Sequence, residues 1–426
     1  MPEIPDFLYS LGRGVRTSSE LQELLGVSQS TVSRLIADAG DSVLRLGARR
    51  STRYAAARML FGGDFALPLY EIDENGRLRI LATLRSFADG RFFVDGNDLP
   101  RWLRGNDDNG IFPGLPYFLD DLRPAGFLGR LFARRVAEPW GFPEDPREWN
   151  ENQLGLCLLR SGDLLPGNIV IGEAAAGRTR LWQGERVSDP EAGYPQLAAS
   201  VMAGDLPGSS AGGEQPKFTA WRDSVGQVLV KFSSDGNNPE ARRWRDLLLA
   251  EHHALEALRA HGFPAAETAV VQAGGRVFLE SQRFDRVDGY GRRPMISLAA
   301  IDAEFAGTGR DWNRSATALH ARELIDSQTL DRITALQLFG EQIGNTNMHL
   351  GNLSLAPEGE GFTLLPVYDM LPMALAPRFG SIPAALPDPP SIDGLPDIVR
   401  AALDDYRQRV GHDERISGGF RDMADS

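Results

Sequence analysis

Asn347, Asn352 and Asp369 are the residues whose types and spacing best suit chemistry. Asn352 closes the run Gly344-Asn345-Thr346-Asn347-Met348-His349-Leu350-Gly351-Asn352, and Asp369 ends Pro366-Val367-Tyr368-Asp369 one short hairpin further on. An amide followed by a carboxylate at this separation can hold a divalent cation against the phosphates of a nucleotide, as phosphoryl transfer requires. Such a loop also needs an acidic side chain ahead of the amide, to orient the attacking hydroxyl and take its proton. Position 347 is that place, and it carries Asn. An amide can accept a hydrogen bond there but cannot take the proton.

These groups need elements to position a nucleotide beside them. Gly208-Ser209-Ser210-Ala211-Gly212-Gly213-Glu214-Gln215-Pro216-Lys217 is a glycine-rich segment whose backbone amides can approach phosphate oxygens. It is neither a Walker A loop nor the usual Gly-x-Gly-x-x-Gly of protein kinases, and alone it reads better as a flexible turn. Behind it the pattern predicts strands over Lys217–Trp221 and Gln227–Phe232, the second carrying Lys231, which could pair with the α- and β-phosphates. A helix follows over Trp244–His261, then a strand over Val277–Gln282 leading into Arg283-Phe284-Asp285-Arg286, a connector suited to a purine. Beyond about 310 the chain reads as mainly helical, with segments Ala316–Ile325, Asp331–Gln342 and a last helix near 397–410.

The first 60 residues read differently. Thr17 or Ser18 can cap one helix that Gly26 ends, and Ser28 can cap a second. Gln29, Ser30, Thr31 and Arg34 lie on the outer face of the second helix, where base edges could be read. A small hairpin follows. Arg45, Arg49, Arg50, Arg53 and Arg58 lie between Ser42 and Arg58 with no acid among them, in a chain whose net charge is −13. The combination points to a winged helix–turn–helix with a basic wing on phosphates. The bland alternative is a three-helix lobe with a solvated hairpin. Cys157 is the single cysteine, which fits a reducing compartment. The N-terminus lacks the features of a signal peptide, and the sequence has no stretch of eighteen apolar residues. A cytoplasmic protein with no membrane span is expected. His252-His253 has no matching ligand cluster, so zinc is not expected. Trp312 and its polar neighbours read as a surface turn with one anchoring aromatic.

The order of these features carries a family resemblance. From about 64 to 410 the chain resembles the HipA-type serine/threonine kinases, the toxins of type II toxin–antitoxin pairs. The matching motifs are Ser210-Ala211-Gly212-Gly213-Glu214-Gln215-Pro216-Lys217, Gln282-Arg283-Phe284-Asp285-Arg286, Ile343 through Asn352, and Tyr368-Asp369-Met370-Leu371. The stretch 62–200, with Leu115-Pro116-Tyr117-Phe118-Leu119-Asp120-Asp121-Leu122, resembles the family's N-terminal subdomain.

The resemblance implies ATP and Mg2+ as cofactors. Lys231 would then hold the phosphates, Gln282 and Phe284 would line the adenine site, and Asn352 and Asp369 would bind the metal. Ser210, Gly212, Gly213 and His349 would belong to the same ATP site, His349 as a structural hydrogen-bonder of its loop and not as a base. Ser210, with Ser209 beside it, falls where the family carries an inhibitory autophosphorylation serine. Protein substrates such as translation factors or aminoacyl-tRNA synthetases, and an antitoxin, are the implied partners, with DNA engaged through the N-terminal unit. The family pattern has Asp at 347. Either the chain is a natural pseudokinase, a nucleotide-sensing regulator, or Asp→Asn was introduced so that a growth-inhibiting kinase could be produced. The intact nucleotide ligands favour the second.

The expected fold is α+β: a winged helix–turn–helix over 1–60, a β-rich kinase lobe over 61–285 with its N-terminal subdomain, and an all-helical lobe over 286–426.

Overall fold

The computed structural model describes residues 3–12, 14–47, 51–181, 184–204, 215–378, 381–386, 391–392 and 394–424. Arg49, Arg50, Ser209, Ser210, Gly212 and Gly213 lie outside them.

The chain opens with helices Ile4–Gly12, Ser18–Leu25 and Gln29–Ala39. Thr17 and Glu20 form a capping box on the second, and Gly26 ends it in the left-handed conformation at φ 62°. Ser28 caps the third. The first helix was not foreseen. Its apolar pair, Phe7 and Leu11, sits one turn apart and is buried with Leu21, Val32, Leu35, Val43 and Ala56. Strand Arg53–Arg58 pairs near its start with Val43–Leu46 and Arg16–Thr17. Its end pairs with a strand of the next sheet, Ala57 opposite Phe87 and Arg58 opposite Ser86. One strand thus runs from the N-terminal unit into the middle of the molecule.

The middle sheet is built on the hairpin Leu67–Ile72 and Leu78–Phe87, with Phe92–Asp95 and Ile169–Ile171 on either side. The hairpin's turn is made at Asn75-Gly76, with Gly76 at φ 72° and Asp73 accepting from the Asn75 and Arg77 amides. Helix Gly126–Trp140 runs through Pro139, although the Pro-rich sequence of 138–147 reads as a surface loop. Proline is tolerated in this last turn because its lost amide and its ring disturb one ladder bond near an end that Gly141 closes in the left-handed conformation.

A second sheet follows in the order Thr268–Ala273, Arg276–Gln282, Gly226–Phe232, Lys217–Arg222, Glu185–Val187. The long helix Pro239–Ala260, capped by Asn238, packs against it. Beyond it lie helices Leu298–Phe305, Trp312–His320, Ser327–Gln342 and Asp397–His412.

The all-helical expectation fails here. Strands Ile296–Ser297, Ser354–Glu358 and Gly361–Leu364 form a three-stranded antiparallel sheet. The chain leaving Asn352 has to double back for Asp369 to return beside it. It does so through this hairpin, with Gly359 at φ 57° in the turn. Among the described residues one large apolar cluster runs from Leu67 and Leu84 of the middle sheet, through Leu248 and Leu255, to Leu336, Leu403 and Tyr406. Trp312 belongs to it, 1% exposed, and is not a surface anchor.

Candidate functional site

Strand Gly226–Phe232 sits centrally in its sheet, with Lys231 opposite Lys217 on one side and Leu279 on the other. The Lys231 ammonium lies 2.5 Å from Glu251 Oε1 and also donates to Asp369 Oδ1. Glu251 comes from the middle of helix Pro239–Ala260 and is buried. Burial pulls the lysine's pKa down, but the Asp369 and Glu251 carboxylates outweigh it and hold the ammonium above its ordinary range. Burial also opposes ionisation of Asp369, yet Lys231, with help from Lys217, keeps it below the usual carboxylate range. Glu251 goes the other way, raised first by burial, with the nearby Asp369 adding to it.

Asp369 adopts φ 55°, a strained choice for a non-glycine residue. Its carbonyl accepts from Asn345 Nδ2 at 3.0 Å. Asn345 Oδ1 in turn accepts from the Asn347 amide at 3.1 Å, and Asn352 Nδ2 donates to the Asn347 carbonyl at 2.8 Å. Buried Asn345 therefore ties the metal-side loop to the loop carrying position 347. The Asn347 side chain is exposed. His349 accepts from the Gly351 amide through Nδ1 at 3.1 Å, and its carbonyl accepts from Trp312 Nε1 at 3.0 Å. This fits the structural role expected of the histidine and gives Trp312 a purpose: it braces the loop from below.

These groups open onto a cavity of about 380 Å³. Its lining includes Lys231, Glu251, Asp369 and Asn352, together with Leu229, Leu279, Gln282, Phe284 and Tyr368. The Phe284 and Tyr368 rings stack with centroids 6.0 Å apart, and the Tyr368 hydroxyl bonds to Ser354 Oγ at 3.0 Å. The lining is mostly apolar with a few charged and polar groups, which suits a purine and its phosphates.

The far wall comes from the middle of the chain, through Asp121, Leu122, Leu165 and Pro166. It is fixed by a buried ion network. Asp285 sits between Arg283 and Arg286 at 2.7 and 2.6 Å and accepts from the Gly167 amide, while Arg286 donates to the Leu165 and Gly167 carbonyls. Burial alone would raise the Asp285 pKa, but the two guanidinium groups hold it well below the carboxylate range.

An Asp and an Asn facing one cavity fit a hard cation such as Mg2+, which keeps several waters and takes its other ligands from phosphates. Among the described residues no group of three or more His, Cys, Asp or Glu could hold a metal alone. His252 and His253 pair instead with Thr268 at 2.8 Å and Asp413 at 2.7 Å.

Sequence reasoning located Lys231, Asn352, Asp369, Gln282, Phe284 and His349, and the structure brings all six to this cavity. It missed the roles of Glu251, Asn345, Tyr368 and Asp121. Glu251 left one signal, a carboxylate amid the apolar positions Leu247, Leu248, Ala254 and Leu255 of a helix.

At the N-terminus Gln29, Ser30, Arg34, Arg45 and Arg53 are exposed and Thr31 is half-buried. The Ser30 and Thr31 hydroxyls lie 2.8 and 3.1 Å from Ser28 Oγ. Among the described residues no helix is long and apolar enough to cross a membrane.

Comparison with known proteins agrees with this arrangement. Residues 64–180 match the family described as the YjjJ-like toxin, middle domain, and residues 209–393 match the HipA-like C-terminal domain. Over 437 aligned positions the chain is 36% identical to Toxin YjjJ of Escherichia coli (strain K12), covering 100% of this chain and 96% of that protein. The fold is similar to a solved structure of the Shewanella oneidensis MR-1 toxin–antitoxin system HipA, HipB and its operator DNA complex. The TM-score is 0.53 at 16% identity, over 83% of this chain and 90% of that one.

Proposed function

The chain belongs to the HipA-like toxin family, and we propose that its cavity binds Mg·ATP as part of a protein serine/threonine kinase whose turnover is set by the residue at 347. The observation that carries this reading is the convergence of Lys231, Glu251, Asp369 and Asn352 on one largely apolar cavity. Lys231, oriented by Glu251, would hold phosphate oxygens. Asn352 and Asp369 would hold Mg2+, which when bound neutralises charge on the phosphates. Gln282, Phe284 and Tyr368 would enclose the base. The exposed side chain at 347 would meet the hydroxyl of an incoming protein, and Asn there can orient the hydroxyl without taking its proton.

In the same reading, phosphate added at Ser209 or Ser210 would place charge on the glycine-rich segment and oppose nucleotide binding. Gln29, Ser30, Thr31 and Arg34 would face DNA bases, with Arg45, Arg49, Arg50 and Arg53 on phosphates. The operator complex of the structural neighbour supports DNA and an antitoxin as partners. A translation factor or an aminoacyl-tRNA synthetase is the expected kind of protein substrate.

The test is Asn347→Asp. The variant is expected to incorporate phosphate at Ser209 or Ser210 and into a lysate protein, at least 100-fold faster than the chain with Asn, on the order of the contribution of a positioned base. Asn347 itself favours a second reading, a nucleotide-gated DNA-binding regulator. If the variant transfers no phosphate while Mg·ATP alters promoter binding, that reading replaces the kinase.

A further inference from the structure

Asp121 is a carboxylate deep in the protein whose partners are incomplete. It follows the short helix Tyr117–Asp120, and its oxygens accept from the Ser297 amide at 2.7 Å and from the Ser297 hydroxyl. An ionised carboxylate has about four acceptor sites, so two neutral donors leave about half its capacity unused. Among the described residues no cation pairs with it. Its neighbour Arg123 is committed to the Pro146 and Trp149 carbonyls and to Asp120. The contrast with Asp285, clasped by two arginines on the same cavity, is clear.

The remaining surface of Asp121 faces the cavity. The residue is only half-buried although it lies far inside the fold, and it lines the slot together with Ser297, Met295 and Tyr368. Burial raises its pKa, as expected for a charge with neutral partners. Tyr368, whose ring stacks on Phe284, lines the same cavity. An acceptor such as Asp121 discriminates strongly, because a ligand lacking the matching donor leaves a buried acceptor unpaired.

We propose that Asp121 is a specificity-determining residue of the nucleotide site, contributed by the middle of the chain, that accepts a hydrogen bond from a hydroxyl or amine of the bound nucleoside. The proposal rests on the nucleotide reading of the cavity. It gives the middle segment a direct part in ligand choice in addition to scaffolding.

The experiment is calorimetric titration of the full chain and of Asp121→Asn with the Mg2+ complexes of ATP, 2′-deoxy-ATP, 3′-deoxy-ATP and ITP. The carbonyl of an Asn at 121 can still serve the Ser297 amide, so the fold should hold. The parent chain should prefer ATP over at least one analogue by about 10-fold or more, and the variant should reduce that preference to about 2-fold. Weak ITP binding identifies the exocyclic amine as the donor; weak binding of a deoxy analogue identifies the sugar hydroxyl. Equal affinity of the parent for all four, or an unchanged preference in the variant, overturns the proposal while leaving the nucleotide reading intact. Failure of the parent to bind ATP overturns both. If Asp121→Asn melts below the assay temperature, Asp121→Glu is read the same way, since it keeps the charge and shifts the acceptor by one methylene.

Discussion

Lys231 is held between two carboxylates that belong to different parts of the chain, Glu251 on a helix and Asp369 on a loop. The arrangement makes the lysine a point of structural risk as well as a ligand. Lys231→Met would leave Glu251 buried against Asp369 without a cation, and removing one partner of such a pair costs about 3–5 kcal/mol. A lowered urea midpoint with an unchanged slope is the expected outcome. Glu251→Gln keeps a hydrogen-bond acceptor for the ammonium and removes a charge that burial already disfavours. It should cost less than Lys231→Met, while still weakening Mg·ATP because the ammonium is less firmly aimed. Equal loss of stability in the two variants would contradict this account. Asn352 and Asp369 were legible in the sequence because each lies in a short motif with fixed spacing, and Lys231 because its strand follows the glycine-rich segment. Glu251 was not, since only the packing of helix Pro239–Ala260 on the sheet brings it to the lysine. Asn345 was visible as a letter, but its role depends on the turn that returns Asp369.

At the scale of elements, helix Pro239–Ala260 shows why boundaries were easier to read than partners. Its amphipathic pattern predicted a helix ended by Gly262, and Asn238 and Pro239 extend it backwards by one cap and a first turn. Its two histidines carry a pH prediction. Burial, with His253 adjacent, lowers the His252 pKa to about 4, against about 6.5 when unfolded. The unfolded chain therefore binds the extra proton between those values, so His252 reduces stability as pH falls from about 6.5 towards 4 and has no such effect above 6.5. The slope from this one group cannot exceed about 1.4 kcal/mol per pH unit. His252→Gln should flatten the fall in melting temperature between pH 6.5 and 4, and an identical pH profile in the variant would contradict the assignment. The hairpin Ser354–Glu358 and Gly361–Leu364 teaches the opposite lesson. Its alternation is short and interrupted by Pro357, and the sequence reading absorbed it into a helical lobe.

At the scale of the molecule, the cavity is closed by parts remote in sequence: a sheet with its lysine and hinge, a loop with its amide and carboxylate, and a wall from residues 121–166. Strand Arg53–Arg58 joins the N-terminal unit to the same middle sheet. The order of the first two parts was readable from motifs. The third was not, because the ion network of Asp285, Arg283 and Arg286 with the Gly167 backbone exists only after the chain has folded. The account stands on that closure producing a nucleotide site. Titration of ATP into the full chain, with and without Mg2+ and beside Asp369→Asn, measures it most directly. Saturable binding that requires Mg2+ and is weakened at least 10-fold by Asp369→Asn is the predicted result. No saturable binding, or binding indifferent to both the metal and Asp369, would contradict it.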